Sequence, residues 1–232
     1  YEEVQGFPNV LSRLYLMSLI GIAAVKAKKV SVAAYLKDMV EMVRGVQDPT
    51  KGIFLRVFVL ETVRTNLPDT TTADPNEGTL INSVEFLLHN FSEMTRLLKA
   101  LSSGSSEKNV TLQQQLCQLV GKNLMLLSNL EGTTFDLYQS NILPRCLETT
   151  LLSKDQVVQD YIYNALIVTF PAEYHLQTLD ELLRSLGGVV ENVKLCTIMT
   201  TLMNRITTLV KSNPTFPKTL DIYAIFNSNI AH

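Results

Sequence analysis

The feature that most constrains this chain is the stretch from Leu14 to Val25, an apolar run interrupted only by the hydroxyls of Tyr15 and Ser18. A helix built from it is apolar on nearly every side and is expected to lie between other helices. It is not a membrane span, which needs roughly 18 or more apolar residues. Arg13 brackets it on one side, and Lys26, Lys28 and Lys29 on the other. Arg13 sets a guanidinium against Leu14, Tyr15 and Leu16, and such a group must reach water, a carboxylate or another chain.

The rest of the chain repeats the helical period. Val32 to Val46 puts Leu36, Met39, Val40 and Val43 on one face and Lys37, Glu41 and Arg44 on the other, with Gly45 as a stop. Asp48-Pro49 reads as an N-cap followed by proline at the first helical position. The third helix that it opens turns Leu55, Phe58, Val59 and Thr62 inward and closes at Leu67-Pro68. Residues 69–79 form a polar loop. Leu80, Val84, Leu87, Leu88, Phe91, Met94, Leu98 and Leu101 then make the cleanest amphipathic stripe in the chain, and the serine-rich residues 102–106 break it as a tether.

A fifth helix buries Leu116, Leu119, Val120 and Leu127, with Gly132 as its C-terminal cap. A sixth begins near Thr134 and carries Pro144 inside its pattern, which predicts a kink or a split near Ser140. Ser153-Lys154-Asp155-Gln156 has capping-box spacing before a seventh helix, which ends at Phe170-Pro171. Leu176, Leu179, Leu182, Leu183 and Leu186 form an eighth, stopped by Gly187-Gly188. Leu195, Met199, Leu202, Ile206 and Leu209 form a ninth, and Thr219 to Phe226 begins a last.

No strand-like alternation persists, so the chain reads as all-α. A helix pair recurs every 40 or so residues, the scale of HEAT-type repeats. Periodicity alone permits a bundle, but many similar antiparallel helices with apolar faces on both sides fit stacked layers better than one closed core.

Chemistry finds little footing. Twenty Lys and Arg against 22 Asp and Glu, a formal net charge of −2, give no general drive toward nucleic acid or anionic membrane. His89, His175 and His232 are scattered, with no second His or Cys at metal-ligand spacing, and read as structural. Gly121-Lys122 lacks the rest of a phosphate loop, since residue 116 is Leu and residue 123 is Asn. Glu41, Glu61 and Glu181 read as surface charge, and the Asn90 and Asn109 glycosylation patterns as chance matches. The lysine cluster suits a solvated helix end. Cys117, Cys146 and Cys196, odd in number and far apart, suit reduced core thiols of a cytosolic protein. Opening at Tyr1 rather than Met, the chain is expected to be a piece of something longer.

Five stretches carry a family resemblance. They are Arg13-Leu14-Tyr15-Leu16; Gly52-Ile53-Phe54-Leu55-Arg56 through Asn66-Leu67-Pro68-Asp69; Asn90-Phe91-Ser92-Glu93-Met94; Leu119 to Leu124 with Leu130-Glu131-Gly132; and Phe170-Pro171-Ala172-Glu173-Tyr174-His175 through Leu179. In this order and spacing they resemble the vacuolar protein sorting 35 family, the large subunit of retromer, whose first motif reads Pro-Arg-Leu-Tyr-Leu. Here Ser12 stands in place of the proline.

The resemblance implies an elongated right-handed α-solenoid of antiparallel helix pairs, HEAT/armadillo-like, with residues 1–232 as a single N-terminal segment. It implies a non-enzymatic scaffold without cofactor that serves endosome-to-Golgi retrograde transport. Arg13, Leu14, Tyr15 and Leu16 would bind the arrestin-like retromer subunit, and sorting nexins and cargo tails would be engaged nearby. The metallophosphoesterase-like subunit would bind a C-terminal part that this chain lacks. The protein would be cytoplasmic and peripheral on endosomal membranes, with indirect membrane contact and no nucleic acid. The rival readings are another helical-repeat trafficking adaptor or transport receptor, and a helical enzyme.

Overall fold

A computed structural model describes residues 4, 6–69, 78–102, 107–212 and 225. All regular structure among them is helical. The chain divides into two compact units, residues 1–134 and 135–232. The last helix anticipated from Thr219 falls outside the described residues apart from Ile225, as do most of the 69–79 loop and residues 103–106 of the serine-rich break.

The first unit holds α1 (Val10–Lys26), α2 (Val32–Arg44), α3 (Pro49–Val63), α4 (Leu80–Ser102) and α5 (Glu107–Asn129). Local chemistry sets the helix starts. Asn9 Oδ1 accepts the Leu11 N–H at 3.0 Å, and Asp48 Oδ1 accepts the Lys51 N–H at 2.8 Å with Pro49 in the first turn. Alternate helices lie side by side: α1 packs on α3 and α3 on α5, while α2 packs on α4. Each successive pair also packs, α1 with α2 and α4 with α5. Helices paired in this way and layered on their neighbours are the architecture of an α-solenoid.

Residue pairs report the directions. Tyr15 meets Phe58 and Ser18 meets Thr62, so α1 and α3 run parallel. Asn90 meets Asn123 and Leu98 meets Gln113, so α4 and α5 run antiparallel. Asn90 donates to Asn123 Oδ1 at 2.9 Å, and Asn123 donates to the Val120 carbonyl at 3.0 Å, which satisfies a buried amide pair inside an apolar seam.

The more deeply buried helix is α3 rather than α1, although Phe54 on its open face is 49% exposed. Ile53, Leu55, Val59, Leu60 and Val63 of α3 are all at most 2% exposed. In α1 the buried set is Leu14, Met17, Ser18, Gly21, Ile22 and Val25, while Val10 and Leu19 are 51% and 45% exposed. The reason is position. Among the described helices α1 packs on α2 and α3, whereas α3 packs on α1, α2, α4 and α5.

The second unit begins with a helical turn, Phe135–Leu137, that widens into a π-helical segment, Tyr138–Ile142, before α6 (Leu143–Ser153). Pro144 accounts for the widening, since it has no N–H for the Ser140 carbonyl and its ring crowds that carbonyl. The distortion anticipated near Ser140 is this π segment. Then follow α7 (Gln156–Thr169), α8 (Ala172–Gln177), α9 (Leu179–Leu186) and α10 (Leu195–Ser212). The α7 cap is Asp155, whose carboxylate accepts the Val158 N–H at 3.0 Å, and not Ser153. Ser153 ends α6 and bonds the Thr150 carbonyl, while Lys154 takes the left-handed conformation with φ of 49°. The leucine stripe anticipated as one eighth helix is split at Thr178 into α8 and α9, yet all five leucines are buried.

Smaller departures have physical causes. Gly132 is not a left-handed cap. A Cβ there would lie 2.5 Å from Leu80 Cδ2 and 2.7 Å from the Asp69 carbonyl, so glycine permits a close chain crossing. In α10 the buried stripe is Ile198, Leu202 and Ile206, and Leu195 is exposed at the helix start. Cys117 and Cys146 are buried free thiols as expected, but Cys196 is exposed on the first turn of α10.

Candidate partner-docking surface

The motif that stood out in the sequence begins one turn into α1. Residue 12 is the third residue of the helix, and its N–H is bonded by Asn9 Oδ1 at 3.3 Å. Serine keeps that N–H and proline would lack it, but both fit a first turn, where backbone donors have no helical partner. The exchange therefore leaves the helix entry intact.

The four motif side chains divide between two directions. Leu14 is 6% exposed and belongs to the core. Tyr15 is half-buried and lies edge-on to Phe58 of α3, with ring centroids 4.8 Å apart at 75°, and burial raises its phenol pKa. These two hold α1 to its neighbours. Arg13 and Leu16 are half-buried at the margin of that contact. With exposed Ser12, Leu19 and Ala23 and half-buried Ile20, they continue along the outer side of α1 as a mainly apolar strip headed by a cation. Such a strip is suited to covering by another protein surface.

The inner side of α1 is tied down by polar contacts as well. Tyr35 of α2 donates to the Ser18 carbonyl at 3.0 Å, and Ser18 Oγ lies 3.2 Å from Thr62 Oγ1. Gly21 lets the Tyr35 ring lie against the α1 backbone, since a Cβ there would sit 2.3 Å from Tyr35 Cε2. Ordering this face orients the outer one.

The structure also brings together groups that sequence reading missed. Arg56 of α3 is 1% exposed, and its Nη2 lies 3.6 Å from Glu93 Oε2 of α4. Neither Nε nor Nη2 of Arg56 has a hydrogen-bond partner. Glu93 is instead hydrogen-bonded to Arg96, at 3.0 Å and 3.2 Å. Burial lowers the Arg56 pKa, with Glu93 acting to raise it and Arg96 to lower it. The signal was present: Gly52, Arg56, Val59 and Val63 share one buried helical face.

His175 is fully buried and packed against an aromatic group of Tyr138, Phe170 and Tyr174. Its Nδ1 lies 3.3 Å from the Tyr138 hydroxyl and its Nε2 3.1 Å from the Ile167 carbonyl. This is a core histidine with both ring nitrogens engaged. His89 is half-buried and lines a groove between α2 and α4, and His232 lies outside the described residues. Lys122 of the Gly121-Lys122 pair lies inside α5 and bonds Glu61 at 2.6 Å. Among the described residues no group of three or more His, Cys, Asp or Glu is placed to hold a metal ion, and no helix is long and apolar enough to cross a membrane.

The family model described as vacuolar protein sorting-associated protein 35 matches residues 1–232. Vacuolar protein sorting-associated protein 35A of Arabidopsis thaliana is 38% identical over 218 residues, covering 92% of this chain and 28% of that protein. The Dictyostelium discoideum protein 35 is 35% identical over 235 residues, covering 99% of this chain and 30% of that protein. The Schizosaccharomyces pombe protein 35 is 32% identical over 223 residues, covering 91% of this chain and 26% of that protein. The chain thus spans under a third of the length of these relatives. By the match over its whole length, the chain belongs to the vacuolar protein sorting-associated protein 35 family.

Proposed function

We propose that this chain is an N-terminal solenoid segment of a retromer scaffold subunit and docks the arrestin-like retromer subunit through the outer side of α1. In this reading the protein is not an enzyme. It works in the cytoplasm, peripheral on endosomal membranes, and supports retrograde sorting to the Golgi. Sorting nexins and cargo tails are engaged near the same end. The metallophosphoesterase-like subunit belongs to a more C-terminal part of the longer protein.

The observation that supports this reading is the division of the Arg13 to Leu16 motif. Leu14 and Tyr15 pack inward, while Arg13 and Leu16 border an apolar strip in which Leu19 and Ala23 are exposed. A helix that needed only to pack would not extend its apolar surface around to that side.

Calorimetric titration with the arrestin-like subunit, alongside thermal melts, tests the proposal. Arg13→Ala is expected to weaken binding by about 2 kcal/mol, the hot-spot scale, with the melt little changed. Leu16→Asp should abolish binding in a folded protein. Leu14→Ala should instead lower stability by roughly 2–5 kcal/mol, as for other buried leucines. Unchanged affinity in the Arg13 and Leu16 variants would refute the assigned surface.

A further inference from the structure

The second unit carries an apolar groove between α6 and α9 that none of the foregoing uses. Its volume is about 470 Å³, and Pro144, Leu147, Leu151 and Leu152 form its apolar lining. That volume lies within the range of ligand-binding clefts. Leu152 is 63% exposed, the most solvent-accessible large apolar side chain among the described residues.

The charge around the groove has one dominant sign. Glu148 and Glu181 line it together with Arg184. Arg184 is engaged elsewhere, donating to Asp180 Oδ2 at 2.6 Å. Glu148 is exposed and Glu181 half-buried, and neither forms an ion pair among the described residues. Burial raises the Glu181 pKa, with Arg184 acting to lower it and Asp180 to raise it. Two carboxylates, Glu148 and Glu181, thus line the groove, while its one guanidinium, Arg184, is paired with Asp180.

We propose that this groove docks a peptide segment of another protein that carries lysine or arginine beside apolar side chains. The apolar residues cover Leu147, Leu151 and Leu152, and the cation meets Glu148 and Glu181. Complementarity of this kind supplies specificity and register through the charges and contact area through the leucines.

The test uses the 232-residue chain and a fluorescein-labelled helical peptide of about ten residues, with leucines one turn apart and a lysine beside each. Fluorescence anisotropy should show saturable binding. Replacing both carboxylates, Glu148→Lys with Glu181→Lys, should weaken it tenfold or more. A companion peptide with glutamate for lysine should bind the reversed variant better than it binds the native chain. The matched control, Glu41→Lys with Glu131→Lys, makes the same change in net charge on exposed residues of the first unit and should leave affinity unchanged. Methyl resonances of Leu147, Leu151 and Leu152 should shift on binding.

No saturable binding, equal loss in the control variant, or unmoved methyl signals would overturn the proposal. Sedimentation that showed a dimer dissociated by the same two reversals would overturn it too, and would assign the groove to a second copy of the chain.

Discussion

Acidification should destabilise the second unit through His175. Its imidazole sits at about 4 rather than the ordinary 6.5, because burial penalises the charged ring and Arg205 repels it, against a partial offset from backbone carbonyls. A base whose folded pKa is depressed binds its proton more tightly in the unfolded chain. Stability contributed by the neutral ring is therefore complete above pH 6.5 and is lost as pH falls from 6.5 toward 4. The whole displacement corresponds to about 3 kcal/mol, and lowering the pH from 7.5 to 5 removes about 2 kcal/mol of it.

The geometry explains why the proton is refused. With Nε2–H donating to the Ile167 carbonyl, Nδ1 accepts from the Tyr138 hydroxyl, and a second ring proton would turn that acceptor into a donor. Urea unfolding at pH 7.5 and pH 5, followed through exchange of the α7 and α8 amides, reads the effect where it arises. His175→Gln presents a donor and an acceptor without titrating, so its pH-dependent loss should be smaller by about 2 kcal/mol. The difference between the proteins cancels the contributions of other titrating groups, including His89. A histidine proton resonance for His175 that titrates near 6.5, or equal pH dependence in variant and native chain, would refute the reasoning.

Substitutions at three places probe the first unit. Gly21→Ala should cost about 1–3 kcal/mol by overpacking, because the Tyr35 ring is held by its bond to the Ser18 carbonyl and cannot simply withdraw; a thermal melt decides it. Asn123→Ala, which strands the buried Asn90 amide, should cost roughly 1–3 kcal/mol. The double change of Asn90 and Asn123 to leucine should cost less than the sum of the single changes, as a double-mutant cycle in urea will measure. Arg56→Met should leave stability unchanged within about 1 kcal/mol or raise it, since it removes a buried cation with two unbonded nitrogens while Glu93 keeps Arg96. A loss of several kcal/mol in the melt would show that Arg56 holds α3 to α4.

What the sequence determined by itself is local in origin. Helix starts follow from short-range chemistry, as at Asp48-Pro49, and the stripe from Leu80 to Leu98 is buried because its spacing matches one helical turn. Pro144 announced its distortion because a missing N–H is a property of the residue and not of its surroundings. The motif from Arg13 to Leu16 was legible as a string, and so was the family to which it belongs. Tertiary structure decided everything that depends on which neighbours a helix acquires. The apolar run of α1 is buried along one face only, because among the described helices α1 packs on α2 and α3, whereas α3 is packed among α1, α2, α4 and α5. That enclosure buries Arg56, a residue whose type favours the surface. It also separates Leu14 from Leu16, two leucines two positions apart that a helix necessarily points in different directions. One completes the core, and the other borders the surface proposed for a partner.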